Sequence, residues 1–333
     1  MKKFWNIIFF IFIFSFVKAQ DAEFSQFYSN PVYLNPALAG TADACRVNMN
    51  FRSKFPAFNA FKTYSIAYDQ SLYRGWNQTP FGGLGANVIA NTADGIINTY
   101  HINATYAHHF KISDKFYFNM GLTAGTILKQ LNPKNIILPD GTTGGGTEGL
   151  SKSTVAIPDF SFGVYTTYDG KYYGGVSVSH MQGFSDSYSD SVSYSTSLSL
   201  YVPYKISVHG GVELPFGYGD KAISPNVLWN YQKGFNQINI GLYTKIEKIT
   251  LGIWYKNNLR VKLPDAIDPN THVLSILMGL NFDNMNIGYS YDSCLSGLGL
   301  DAKGAHEISV SYRFDVYSTG KKRVIGAIKS PTF

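Results

Sequence analysis

The chain has 333 residues, of which 15% are charged, 16% are aromatic and 32 are glycine; this disfavours a soluble globular protein, where about a quarter of residues carry charge. Its formal net charge is +6, but three of the excess cations fall in residues 1–19 and three in residues 315–333, leaving residues 20–314 neutral. Charge placed in this way gives no basis for a nucleic-acid partner.

The first stretch, MKKFWNIIFFIFIFSFVKAQ, sets Lys2 and Lys3 ahead of an apolar run from Phe4 to Val17, followed by small residues at Val17 and Ala19. That is the pattern of a secretory signal peptide, residues 1–19, with cleavage after Ala19. The 14-residue run falls short of the roughly 20 residues that span a bilayer, and no cysteine adjoins the site to suggest a lipoprotein. No later stretch is long and apolar enough for a membrane helix. The exported chain is therefore either soluble or a barrel.

Residues 20–43 follow as a proline- and asparagine-bearing segment. Pro31 and Pro36 cannot donate ladder hydrogen bonds, and they push Asn30 and Asn35 out of helical geometry. Irregular backbone survives in a barrel only where protein or water surrounds it. The segment is expected to fold into or under the periplasmic mouth as a plug, with Phe24, Phe27, Tyr28 and Tyr33 as its packing contacts.

From residue 44 to residue 314 alternation with period 2 recurs. Strands are expected near 44–53, 61–72, 82–92, 97–110, 115–129, 158–168, 171–182, 198–213, 222–232, 235–245, 248–258, 271–282, 284–292 and 304–314, fourteen in all. In QINIGLYTK, Ile238, Ile240 and Leu242 face one way and Asn239, Gly241 and Tyr243 the other; in LYVPYKISVHGG the apolar set is Leu200, Val202, Tyr204, Ile206 and Val208. Aliphatics outward and small or polar residues inward is the repeat of an all-β, antiparallel transmembrane barrel. Many of these strands reach the length a tilted strand needs to cross a bilayer, beyond the five or six residues usual in soluble sheets.

An even strand count returns both termini to one side, the periplasm for an exported barrel. The connections agree with that count. Even-numbered ones include the tight YDGK, IEK and FDN at 168–171, 246–248 and 282–284, while odd-numbered ones run long at 131–157, 183–196, 258–270 and 293–305. Short periplasmic turns and long extracellular loops are the bacterial pattern. In the last strand Ile308, Val310, Tyr312 and Phe314 form an apolar face expected to close the barrel against the first strand. Residues 315–333 then leave as a basic periplasmic tail, in which Lys321, Lys322, Arg323 and Lys329 are candidate contacts for an acidic partner and Phe333 a terminal anchor.

Other constellations carry no chemistry. Cys45 and Cys294 fall toward opposite ends of this topology, so no disulfide is expected. His108 and His109 face opposite sides of one strand. His101 and His109 share a face but lie roughly 25 Å apart along it, so no metal site is expected. The glycines of GGLG at 82–85 have no helix after them to form a phosphate loop and read as close packing in a strand. No Gly-x-Ser-x-Gly turn is present, and neither catalytic residues nor a cofactor are assigned. Tyr73, Trp76, Tyr168, Tyr172, Trp229 and Trp254 suit the aromatic girdles at the two membrane interfaces.

Two segments carry a resemblance. DAEFSQFYSNPVYLNPALAG at 21–40 contains Phe24, Ser25, Gln26, Phe27, Asn30, Pro31, Asn35, Pro36, Ala37 and Gly40 in an FSQ-F-x-x-NP-x-x-x-NPA-x-x-G run. Near the other end stand GYSYD from Gly288 to Asp292, Gly304 and His306-Glu307-Ile308-Ser309, with Arg313-Phe314. Together they resemble the PorP/SprF family, outer-membrane proteins of the type IX secretion system and gliding machinery of Bacteroidota. The resemblance covers essentially the whole mature chain. It implies a non-enzymatic component of the outer membrane that helps export, or anchor at the surface, a cognate cargo protein with a C-terminal signal. The implied partners are outer-membrane lipids and periplasmic lipoprotein and ring components of the apparatus. The NPA element also recurs in barrels of the fatty-acid transporter type, so a channel for small hydrophobic molecules is the alternative.

Overall fold

The computed structural model describes residues 21–42, 44–56, 61–74, 79–132, 153–184, 202–233, 235–259, 272–295 and 303–314. Its strands are β1 Cys45–Lys54, β2 Phe61–Arg74, β3 Thr79–Ala93, β4 Ile97–Lys111, β5 Phe116–Leu131, β6 Ser153–Tyr168, β7 Tyr172–Ser179, β8 Lys205–Val212, β9 Leu214–Pro215, β10 Lys221–Gln232, β11 Phe235–Ile246, β12 Ile249–Asn258, β13 His272–Asn281, β14 Met285–Cys294 and β15 Ala305–Phe314. β8 and β9 both pair with β10 and form one stave interrupted at Glu213, so the fifteen segments make fourteen staves. Neighbouring staves are antiparallel, and β15 pairs with β1 from Cys45↔Phe314 to Lys54↔Ala305, closing the ring.

The alternation that forms the strands also sorts their side chains. On β12, Leu251, Ile253 and Tyr255 face outward, while Thr250, Trp254 and Lys256 are buried in the lumen. The same parity puts Ile308 and Tyr312 on the outer face of β15 and Glu307 and Ser309 inside. An apolar outer surface with a polar, filled interior is what a bilayer demands of a closed sheet.

Cys45 and Phe314 share one rim, and that rim carries the tight connections 112–115, 169–171, 247–248 and 282–284. The opposite rim carries 132–152, 180–204, 259–271 and 295–304. The turn rim is thus the periplasmic one and the loop rim faces the cell exterior. Cys45 pairs opposite Phe314 on the turn rim, and Cys294 opposite Val273 on the loop rim.

Among the strand limits that differ from the sequence reading, three stand out. The strand expected from 198 begins at Lys205, and Val202, expected on the outer face, is buried against Ile127 and Ile157. Pro203 has no N–H to offer a ladder there. β7 stops at Ser179, where His180 takes a φ of 59° and breaks the extended backbone. β6 starts at Ser153, five residues before its predicted start at 158, in ladder with β5 along its whole length.

Candidate functional site: the luminal plug

Residues 21–42 fill the barrel from within. The segment folds as a 3-10 turn at Phe27–Ser29, a single helical turn at Pro31–Leu34 and a 3-10 turn at Pro36–Leu38. Each proline opens its turn, where a missing N–H costs nothing. The Asn35 side chain accepts a hydrogen bond from the Ala37 N–H at 3.0 Å and caps the last turn. The two NP pairs therefore make consecutive tight turns, which compact the segment enough to fit a lumen.

Its contacts trace a path along the barrel axis. Asp21 meets His180 and Lys205, both at the loop-rim ends of their staves. Gly40 donates to the Asp69 carboxylate at 2.8 Å and accepts from Ser71 at 2.6 Å, near the turn rim. The segment thus lies inside the barrel, the first of the two placements expected, and threads the whole lumen with its N-terminal end toward the cell exterior. Peptide groups in such a position need partners from the wall, because little water remains to serve them.

Near the loop rim those partners are charged. Arg52 on β1 bridges Asp292 on β14 at 2.7 Å and Glu307 on β15 at 3.0 Å, and Lys256 on β12 meets Asp292 at 3.1 Å. The Ser25 N–H donates to Glu307 at 2.7 Å, and its hydroxyl donates to Asp292 at 2.6 Å. Arg52 also contacts the Ser25 hydroxyl. Two cations and two carboxylates, all nearly buried, make a neutral set to which the plug adds the Ser25 N–H and hydroxyl. A cavity of about 190 Å³ opens beside it, lined by Glu23, Lys54, Phe55 and Gln237 among others. On the opposite wall His180 is held between Asp21 at 2.8 Å and Asp159 at 3.0 Å. Burial alone would raise the Asp21 carboxyl, but the charge and hydrogen bond of His180 hold it well below the usual carboxylate range.

Toward the turn rim the wall is stripped of side chains. A methyl group at Gly121 on β5 would sit 2.5 Å from the Pro36 carbonyl oxygen, and one at Gly175 on β7 would sit 2.7 Å from Asn35 Nδ2. Gly83 on β3 and Gly163 on β6 likewise face Ala39 and Asn35 with no room for a Cβ. These glycines form a track into which Asn35-Pro36-Ala37 presses. Asn35 Nδ2 donates to the Val164 carbonyl at 2.9 Å, and the Ser177 hydroxyl donates to the Leu34 carbonyl at 2.9 Å. GGLG at 82–85 contributes one of the track positions; the other three lie on separate strands, and only register brings them together.

Between the two zones lies an apolar core: Phe27, Tyr28, Leu34 and Leu38 of the plug against Tyr165, Leu228, Trp254 and Leu277 of the wall. Phe27 meets Trp254 edge to face, with ring centroids 4.8 Å apart. Trp254 was expected in an interfacial girdle, but it is 0% exposed and points inward. Its parity already opposes that of Leu251, Ile253 and Tyr255, which are 48%, 50% and 41% exposed. Tyr168 and Tyr172 do stand on the outer face near the turn rim.

Of the other singled-out residues, Phe24 packs edge to face on Tyr33 and Asn30 donates to Ser65 at 2.6 Å. His101 and His109 point into the lumen, His109 bonding the Ala39 carbonyl at 3.0 Å. Ile308, Val310, Tyr312 and Phe314 pair with Phe51, Met49, Val47 and Cys45 along the seam. Lys321, Lys322, Arg323, Lys329 and Phe333 lie outside the described residues, as do Trp76 and the signal-peptide positions 1–19.

Several solved outer-membrane proteins are similar in fold. The Acinetobacter baumannii outer membrane protein Omp33 matches 81% of this chain and 98% of its own, with TM-score 0.45 and 7% identity. A Pseudomonas aeruginosa FadL homologue matches 84% and 93%, with TM-score 0.45 and 12% identity. The CymD monoaromatic hydrocarbon channel matches 86% and 93%, with TM-score 0.48 and 11% identity. No curated protein matches the chain. Residues 16–312, including the plug motif and the closing-strand motif as far as Ser309, match the family described as type IX secretion system membrane protein PorP/SprF, and the chain accordingly belongs to that family of the outer membrane.

Proposed function

We propose that this barrel is a non-enzymatic part of the type IX apparatus, one that helps export or surface-anchor a cognate cargo protein without conducting it through its own lumen. The observation that supports a scaffold over a conduit is the plug core: Phe27, Leu38, Tyr165 and Trp254 are buried together across the lumen. A chain or a small hydrophobic molecule crossing there would have to displace that core. The extracellular loops then present the surface to cargo, and the turn rim and the basic residues Lys321, Lys322, Arg323 and Lys329 present one to periplasmic lipoprotein and ring components.

Affinity purification of the protein from native membranes, with mass spectrometry of what accompanies it, tests this reading. The expected result is a secreted protein with a C-terminal signal together with periplasmic components. Normal cargo localisation in a deletion strain, with lost uptake of an apolar compound, would instead support a channel of the fatty-acid transporter type. Truncation after Phe314 tests the tail: export that survives it unchanged removes the docking role.

A further inference from the structure

Ser25 and Gln26 contact staves that come together only when the barrel is complete. Gln26 Nε2 donates to Ser290 on β14 at 3.2 Å and to the Glu307 carbonyl on β15 at 3.1 Å, while its Oε1 accepts from Ser309 on β15 at 2.6 Å. The N–H groups of Ser25 and Gln26 both donate to the Glu307 carboxylate, at 2.7 and 3.2 Å. Arg52 on β1 reaches that carboxylate at 3.0 Å from across the seam. Gln26 and Glu307 are among the most deeply buried polar side chains of the lumen. Ten residues further on, the same segment lies in the glycine track of β3, β5, β6 and β7. One short stretch thus joins early staves to the last two.

Chain order gives this a consequence. Ser25 and Glu307 are 282 positions apart, and bringing together groups so distant carries a loop-closure cost that local contacts do not. A segment already seated on β3–β7 presents its donors at the place where β15 must arrive. Insertion into a finished ring is the competing order. It would drag the polar Ser25 and Gln26 from the turn rim past Trp254 and Tyr165, through a track with no clearance even for a methyl group.

We propose that the N-terminal segment is an internal template for barrel closure. It docks on the glycine track, its Ser25-Gln26 donors capture Glu307 of β15, and Arg52 of β1 then closes onto a carboxylate already held in place. The role is independent of what the barrel does for secretion.

The test measures folding and unfolding rates of the full-length chain, diluted from urea into lipid vesicles and read by heat-modifiable mobility. Ser309→Ala removes the Gln26–Ser309 hydrogen bond alone, and Gln26→Ala removes it together with the bonds to Ser290 and the Glu307 carbonyl. A template predicts that Ser309→Ala slows folding about fivefold, the equivalent of about 1 kcal/mol for one buried hydrogen bond, that Gln26→Ala slows it at least as much, and that both change unfolding less than about twofold. An effect carried by the unfolding limb, or no effect on either limb, overturns the proposal, since the contact would then form after closure. Should Gln26→Ala fail to fold, Ser309→Ala, which leaves the plug sequence intact, decides the matter.

Discussion

Gly121→Ala isolates the fit between plug and wall, because it adds one methyl group to a strand and alters nothing else. That methyl would stand 2.5 Å from the Pro36 carbonyl oxygen, about 1 Å inside the separation at which non-bonded heavy atoms attract. The plug backbone cannot easily yield. Leu38 donates to the Asn35 carbonyl at 3.0 Å, Ala39 to the Pro36 carbonyl at 3.2 Å, and Asn119 to the Ala37 carbonyl at 3.3 Å. Overpacking of a close-fitted core costs about 1–3 kcal/mol, and a clash with pinned backbone belongs at the upper end, a shift of about 10- to 100-fold in the folded-to-unfolded ratio. Gly174→Ala is the control: it lies one residue from the track, and its methyl would meet the wall at 3.5 Å, in ordinary contact. Urea unfolding in vesicles should show a lower midpoint for Gly121→Ala alone, with faster proteolysis within residues 21–42. If the two variants unfold alike and the plug stays equally protected, Asn35-Pro36-Ala37 does not rest on β5.

Other substitutions probe the remaining zones. Arg52→Ala leaves Asp292 and Glu307 buried with a cation removed, and is expected to cost about 3–5 kcal/mol in urea unfolding; a loss below about 1 kcal/mol would mean that water already solvates the cluster. Trp254→Ala should cost about 3–5 kcal/mol, and brominated lipids should quench Trp229 while sparing Trp254; equal quenching would place both rings in the membrane. Asp21 is held below its ordinary value when folded, so its stabilisation is complete above the unfolded value near about 3.9 and drains away as pH falls below it. Plug protection against protease, followed from about pH 6 to about pH 2, should therefore drop at the acid end, and Asp21→Asn should flatten that drop; an unchanged acid limb in the variant would assign the effect to other carboxylates.

Much of the architecture was legible because a closed sheet in lipid permits few patterns. Period 2 revealed the strands, and the contrast of tight and long connections revealed how they sort to opposite rims, since each requires only local information. Trp254 shows how such information can be misapplied. Its parity opposes Leu251 and Ile253, and it stands mid-strand in Ile249–Asn258, so register places inside the barrel a ring that residue type alone would assign to a girdle. Val202 failed differently: LYVPYKISVHGG alternates beyond the point where a ladder exists, because alternation does not require a partner strand and Pro203 weakens one.

The plug marks the division between the two kinds of information. By itself the sequence determined that residues 20–43 are irregular and must be enclosed, because prolines at Pro31 and Pro36 deny the backbone a ladder. It also determined that the last strand is amphipathic and suited to closure. The tertiary structure alone decided that the segment runs the length of the lumen with its N-terminal end toward the cell exterior. It alone aligned Gly83, Gly121, Gly163 and Gly175, scattered over four strands, into one track, and brought Arg52, Lys256, Asp292 and Glu307 around Ser25. The physical reason is register: hydrogen bonding between staves sets which distant positions share a height and a face, and no local pattern encodes that sum.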